Sequence, residues 1–243
     1  LGYMYAYAIA ANTSYRVDIS NIGLTGSQVV FEALENGAAD VYPDYVGTIY
    51  SSVMGQKYEP GTPMADVFAY VNEHLASDYG MTMLEPMAFN NTYGMGMKRE
   101  TAEKYGLTKI SDMGRYLDKL RFGFTFEFTE RQDGMSGMEK MYGFDIPDGN
   151  VKSFGGTNPR YQALINDSVD VIDVYTTDGL IKKFDLAVLD DDAGFFPPYN
   201  CAPVLSLAAY EQYPDSNQAF AALRPLLDDE AMIGLHYEVA VNE

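Results

Sequence analysis

The sequence predicts an α/β fold with mainly parallel sheets, and three observations carry that prediction. Short apolar runs suited to strands alternate along the chain with amphipathic runs at helical spacing. The 243 residues, 47% of them hydrophobic, suffice for one large domain or for two lobes with cores of their own. No run of about 18 apolar residues breaks the alternation, so no membrane-spanning helix is expected.

In chain order, an amphipathic helix runs from Leu1 to about Ala11 and is followed by the strand-like YRVDISNI, residues 15–22. In TGSQVVFEALENG, Ser27 is placed to cap a helix, Val30 and Leu34 belong to its apolar face, and Gly37 stops it. The stretch AADVYPDYVGTIYSSVMG supplies a short buried strand ending near Tyr42, then a helix whose first residues surround Tyr45. Another helical pattern runs from Pro63 to about Tyr79. Strands are expected at MTMLEPMAF, TYGMGMK, LRFGFTFE, NVKSF, SVDVIDVY and LAVLDDD. Helices are expected at ETAEKYG, SDMGRYLDKL, GMSGMEKMYG and PRYQALIND, and from Pro203 to the end. No fixed-period repeat or low-complexity linker is present. If two lobes exist, they are joined by short ordered crossings, best matched by AFNNTYG (88–94) and FFPPYN (195–200). Ligands of α/β sheets gather beyond strand carboxyl ends and at domain boundaries, which directs attention to these segments.

A formal net charge of −19, spread over the whole length, excludes nucleic acid and anionic membrane surfaces as partners and leaves cationic or zwitterionic small molecules. The single cysteine, Cys201, rules out an internal disulfide and any CxxC or zinc cluster. The first residues lack the features of a signal peptide. Among aromatic residues there are 20 Tyr, 13 Phe and no Trp, and tyrosine joins an electron-rich face to a polar tip.

Catalytic chemistry is poorly provided for. His74 and His236 stand alone in helical polar patterns, read as solvated, with no GxSxG elbow near either. Asp190, Asp191 and Asp192 form an oxygen-rich run, but adjacent strand-end residues point in alternating directions, so a strand-terminating acidic turn is the preferred reading over a cation site. Glu127, Glu130 and Asp133 have the composition of an acid/base site, with Arg131 among them as an ion-pairing alternative. No GxGxxG or Walker loop occurs. A non-catalytic binding protein, with no cofactor and no metal, is the expectation; a metal-dependent hydrolase ranks below it.

Several tyrosines stand at expected strand ends or crossings beside Pro, Gly, Asn or Thr: YPDYVGT, NNTYG, DVYTTDG and PPYNCAP. Each alone is read first as a half-buried packing residue, but four such motifs together suggest a common task. A quaternary ammonium has no N–H to donate, so shape, dispersion and aromatic faces must recognise it, at roughly 0.5–2 kcal/mol per desolvated cation–π contact.

The segments ALENGAADVYPDYVGT, FNNTYGMGMKRETAEKYGLTKISDM, EFTERQDGMSGMEKMYG and RYQALINDSVDVIDVYTTDGLIKKFDLAVLDDDAGFFPPYNCAPV resemble, in order, the substrate-binding proteins or domains of ABC importers for glycine betaine, choline and carnitine. That resemblance implies a type II periplasmic-binding-protein fold, two α/β lobes with a ligand cleft between them. It places lobe I at 1–89 plus 200–243, lobe II at 94–195, and crossings near 90–93 and 196–199. It further implies a tyrosine cage at Tyr45, Tyr93, Tyr175 and Tyr199, with Tyr42 as a neighbouring alternative to Tyr45. Thr48, one turn beyond Tyr45, and Asn91 are secondary contacts. Arg131 matches an arginine that meets a ligand carboxylate, or else pairs with its acidic neighbours. Arg160 is read as a helix-start residue, not a ligand contact. The implied partners are a quaternary ammonium ligand and a membrane permease, at an extracytoplasmic location held by a lipid anchor or by fusion to the permease. A receptor of this fold for an amino acid or a polyamine is the alternative. The family's first strand, with a segment resembling GSKNFTEQ, is not seen in the sequence.

Overall fold

The computed structural model describes residues 1–24 and 26–242, so Thr25 of the expected helix-start segment lies outside the described residues. The first elements are α1 (Gly2–Asn12), α2 (Ser27–Glu35), β1 (Val41–Tyr45), the short α3 (Val46–Thr48) continued by a π turn, α4 (Met64–Tyr79) and β2 (Met81–Met83). There follow β3 (Tyr93–Lys98), α5 (Arg99–Tyr105), β4 (Phe122–Thr125), α6 (Phe126–Glu130), α7 (Met135–Tyr142), β5 (Val151–Phe154) and α8 (Thr157–Ile165). The chain then forms β6 (Val171–Tyr175), α9 (Gly179–Lys183), β7 (Leu186–Leu189), β8 (Cys201–Ser206), α10 (Leu207–Gln212), α11 (Asp215–Leu223) and α12 (Asp229–Asn242). They divide between two compact units: Leu1–Lys57, Thr62–Asn90 and Pro198–Ala231 in the first, Tyr58–Gly61, Asn91–Pro197 and Met232–Glu243 in the second.

In the first unit β8 lies between β1 and β2 and is antiparallel to both. This corrects two expectations: the sheet is not parallel, and the chain from Pro203 continues as a strand to Ser206 before turning helical. Pro43 faces Pro203 in the β1–β8 register as a pair that exchanges no hydrogen bond. The bonds to β1 come from the alternate residues, as in the Val46 N–H on the Asn200 carbonyl at 3.0 Å, so a proline at 203 removes none of them, and its carbonyl accepts from the Leu84 N–H on the β2 side at 2.9 Å. Two local readings also change. Ser27 is the first helical residue of α2 rather than its cap, a position held by Gly26 at φ +89°. Strand β1 runs on through Tyr45 instead of ending near Tyr42. YRVDISNI forms no strand; strand-like composition yields a ladder only where a partner edge is available. Its residues and those of β1 line a cavity of about 540 Å³ with Ile9 of α1 and Val30 of α2. Helix α4 buries Val67, Val71 and Leu75, one face at i, i+4 and i+8, each contributing about 1.5–3 kcal/mol, and Gly80 ends it in the left-handed region at φ +62°.

The second unit has a five-stranded sheet in the order β5-β4-β6-β3-β7. β4 is parallel to β5 and β6, whereas β3 is antiparallel to β6 and β7, so this sheet is mixed. Parallel neighbours need a return crossover, usually through a helix, and α8 supplies one between β5 and β6. β3 follows the segment that enters the unit at Asn91 and belongs to no such repeat. Tyr161 and Leu164 of α8 are buried with Val169, Ile172 and Val174 to form the core on one sheet face. In place of a full helix over SDMGRYLDKL, a 3-10 turn, Ile110–Arg115, covers its first half.

Neither histidine is simply solvated. His74 Nδ1 lies 2.8 Å from the Tyr70 carbonyl, and its ring stacks on Tyr70 at 3.9 Å. His236 Nδ1 lies 2.8 Å from the Thr177 carbonyl. The Asp190–Asp192 run is a turn whose carboxylates hold loops: Asp191 accepts from the Tyr142 hydroxyl and the Phe195 and Phe196 amides, and Asp192 accepts from Ser111.

Candidate functional site

The tyrosines singled out in the sequence fall into two groups, one in each unit. In the first unit Tyr45 ends β1, so the chain turns straight from it into α3. Its amide donates to Asp44 Oδ1 at 2.7 Å, and its ring meets Phe89 edge-on at 6.5 Å. Tyr42 is a core residue, 5% exposed, whose hydroxyl donates to Asp44 Oδ2 at 2.8 Å; burial, then the Asp44 carboxylate, raises its pKa far above the ordinary tyrosine range. Thr48 is buried in α3 at the position expected for it, one turn beyond Tyr45.

Tyr199 is held from two sides. Its amide donates to Asn90 Oδ1 at 2.8 Å. The start of α3 docks alongside, with the Val46 amide on the Asn200 carbonyl at 3.0 Å and the Gly47 amide on the Pro198 carbonyl at 2.9 Å. A Cβ at Gly47 would lie 2.7 Å from that carbonyl oxygen and 3.1 Å from the Tyr199 ring, so only glycine permits this approach. Cys201, just beyond, is buried against the Tyr5 hydroxyl, and burial pushes its thiol pKa up to about 12. That makes it an inert packing residue.

In the second unit Tyr93 is the first residue of β3 and Tyr175 the last of β6, and the antiparallel register sets them opposite each other. Their ring centroids are 5.0 Å apart and their hydroxyls 3.5 Å apart. Phe128 and Phe196 complete an aromatic cluster, 5.2 and 5.8 Å from Tyr93. Burial first, then the partner hydroxyl and Glu127, raises the Tyr93 pKa well above its ordinary value. For Tyr175 burial and then Glu127 act in the same direction. Both rings therefore stay neutral phenols at any physiological pH. Asn91 accepts from the Thr177 hydroxyl at 2.5 Å, tying the strand entry to the turn after Tyr175.

Arg131 lies with its guanidinium carbon 5.8 Å from the Tyr93 ring centroid. Its Nε and Nη2 donate to Asp133 at 2.7 and 2.6 Å, a bidentate pair, and Nη1 donates to Glu127 at 3.3 Å. Two of the three carboxylates considered for acid/base work are thus partners of this cation. Behind the cluster Arg160 is 0% exposed, paired with Asp173 at 3.0 Å and Asp178 at 3.4 Å.

Sequence reasoning passed over Phe128, Phe196 and the Arg160–Asp173 pair. A signal for the pair was present: in VDVIDVY an aspartate occupies a strand position flanked by apolar residues, and a buried carboxylate requires a cation. Phe196 stood inside the quoted aromatic run of the second crossing.

Residues 1–243 match the family described as the substrate-binding domain of the ABC-type glycine betaine transport system. The chain is 31% identical over 216 residues to an ergothioneine transport permease/ergothioneine binding protein of Helicobacter pylori, covering 89% of the chain and 38% of that protein. It is also 31% identical over 227 residues to a glycine-betaine-binding protein of Pseudomonas aeruginosa, covering 90% of the chain and 72% of that protein. A crystal structure of a glycine betaine/carnitine/choline ABC transporter protein aligns over 97% of this chain and 86% of its own, at 30% identity and a TM-score of 0.78. The architecture is that of the type II periplasmic binding proteins. On a full-length match and this agreement of fold, the chain belongs to the family of substrate-binding domains of ABC-type glycine betaine transport systems.

Proposed function

We propose that the chain is the non-catalytic solute receptor of an ABC importer, that it captures a quaternary ammonium compound, and that it delivers the compound to a permease. The observation that carries this reading is the register-matched pair Tyr93–Tyr175, a buried and a half-buried neutral phenol within an aromatic cluster. Tyr45 and Tyr199 are the candidate aromatic contacts of the first unit, and Thr48 and Asn91 are accessory polar contacts. Three or four aromatic faces at roughly 0.5–2 kcal/mol each account for much of the roughly 8 kcal/mol that micromolar affinity requires. Arg131 is the group for a ligand carboxylate, to be met by exchange with Glu127, the more weakly bonded of its two acidic partners.

Relatives named for glycine betaine, carnitine and ergothioneine support the ligand class. An amino acid or polyamine receptor would need several carboxylates to meet ligand N–H groups; the Tyr93 surroundings are aromatic, and their carboxylates are engaged by Arg131. Among the described residues no three His, Cys, Asp or Glu side chains are grouped to hold a metal ion, which disfavours a metal-dependent hydrolase. No described helix is long and apolar enough to cross a membrane. Lipid anchoring or fusion to the permease is the proposed route to an extracytoplasmic surface.

Isothermal titration with choline, glycine betaine, carnitine and ergothioneine tests the reading. At least one should bind with micromolar affinity, weakened tenfold or more by Tyr93→Ala and by Tyr175→Ala, as expected for a lost contact of about 1.4 kcal/mol. Failure of all four to bind below millimolar concentration would refute it.

A further inference from the structure

We propose that Arg160, with Asp173 and Asp178, is a positioning residue that fixes the Tyr175 ring for cation recognition. The inference rests on the functional reading above. The Arg160 guanidinium carbon lies 5.2 Å from the Tyr175 ring centroid and 5.6 Å from that of Tyr161. Its Nη1 donates to Asp173 and its Nη2 to Asp178, while Nε has no hydrogen-bond acceptor among the described residues. The two aromatic rings are the further cation contacts of this guanidinium.

Both carboxylates reach further into the same cluster. Asp178 also accepts from the Tyr161 hydroxyl at 2.8 Å and from the Tyr175 amide at 3.4 Å, so it grips the backbone of the residue whose ring Arg160 covers. Asp173 accepts from the Thr125 amide at 2.9 Å and hydroxyl at 3.0 Å. The Thr125 hydroxyl oxygen accepts from the Phe128 amide at 3.2 Å and so caps α6, the helix that carries Phe128 and leads to Arg131. One buried cation thus ties together the strand bearing Tyr175 and the helix bearing its aromatic neighbour.

Two consequences follow. The guanidinium takes up one part of the Tyr175 π surface and restrains the ring, so a ligand cation meets a ring that is already oriented. The ordering entropy of the ring is then spent in folding, not at binding. Lysine at 160 would keep the charge but lose the planar fork that bonds Asp173 and Asp178 together.

The experiment uses Arg160→Lys and the milder Asp178→Asn, both checked for cooperative thermal unfolding. Each is titrated with choline and with its neutral isostere 3,3-dimethyl-1-butanol. In parallel, 3-fluorotyrosine-labelled protein reports the Tyr175 resonance by ¹⁹F NMR, assigned through Tyr175→Phe. Expected are a displaced or broadened Tyr175 resonance and a choline Kd raised about tenfold, with the isostere's Kd unchanged, since only the cation draws on an oriented π face. Folded variants that keep the wild-type resonance and choline Kd overturn the proposal, as does equal weakening of both ligands, which marks a purely structural role. If the wild type binds no quaternary ammonium compound, the functional reading has failed, and an undisplaced resonance in Asp178→Asn then also refutes the positioning role.

Discussion

The two units present tyrosines by different physical means. In the second, strand register sets Tyr93 against Tyr175 and a buried charge network holds the second ring. In the first, the backbone itself aims the residue: Tyr199 is fixed by an asparagine side chain on its amide and by a helix start pressed against it at a glycine. Register and the buried network depend on the charge at 160 and on the fork that bonds both carboxylates. Close backbone approach tolerates changes in charge but not one added carbon. Each unit should therefore fail in its own way.

The largest effect is expected from Arg160→Met. Removing one partner of a fully buried ion pair leaves Asp173 uncompensated and should cost about 3–5 kcal/mol by denaturant unfolding. Burial already raises the Asp173 pKa above the ordinary carboxylate value against the pull of Arg160 and Thr125. Without the arginine it rises further, so the folded state binds this proton more readily than the unfolded chain, and the variant should regain stability as pH falls. Adding Asp173→Asn should recover part of the loss at neutral pH. A neutral outcome for the single variant would mean that register alone places Tyr175.

Gly47→Ala probes the other mechanism. A Cβ 2.7 Å from the Pro198 carbonyl oxygen must displace either α3 or the segment carrying Tyr199. Overpacking of this kind costs about 1–3 kcal/mol, and the ligand Kd should rise with it, because what moves is the tyrosine itself. Asn90→Ala should act in the same direction and less strongly, about 1 kcal/mol, by leaving the Tyr199 amide without its side-chain acceptor. Unchanged stability and ligand affinity in Gly47→Ala would remove the distinction drawn between the units.

How much of this was legible in the sequence follows from the same contrast. YPDYVGT, NNTYG, DVYTTDG and PPYNCAP announced their tyrosines through turn-forming neighbours, because local backbone restraint is written in local residues. Most strands were legible too, since apolar runs such as VDVIDVY need no knowledge of a partner. Strand direction was not: alternation of strands and helices suggests parallel neighbours, but β8 and β3 each follow a segment that arrives from the other unit, and nothing in their own residues records which way they will run. The strand through Pro203 was hidden because a proline argues against a central strand, and nothing local shows that position 203 owes no ladder bond to β1. The partners of Arg160 were hidden for a related reason. A cation near a helix start shows no partner until the carboxylate that needs it is located on another element.

The smallest expected effect uses an exposed pair as a reference for the buried one. Arg121 donates to Asp170 through Nε and Nη2, both at 2.8 Å, on the second unit. Partial burial opposes ionisation of Asp170, but the Arg121 hydrogen bonds outweigh it and hold the carboxyl below its ordinary pKa. A lowered folded-state value means that the unfolded chain binds the proton more readily. The stabilisation is present above the ordinary carboxylate range and is lost as pH falls through the lowered value. Because the arginine is about half exposed, the whole contribution should be at most about 1 kcal/mol. Asp170→Asn should therefore lower stability slightly at pH 7 and not at pH 2, a deficit that shrinks on acidification as that of Arg160→Met does but is several-fold smaller. Comparable sizes for the two would show that burial of the Arg160 pair contributes no special energy and that the second unit holds its tyrosines by register.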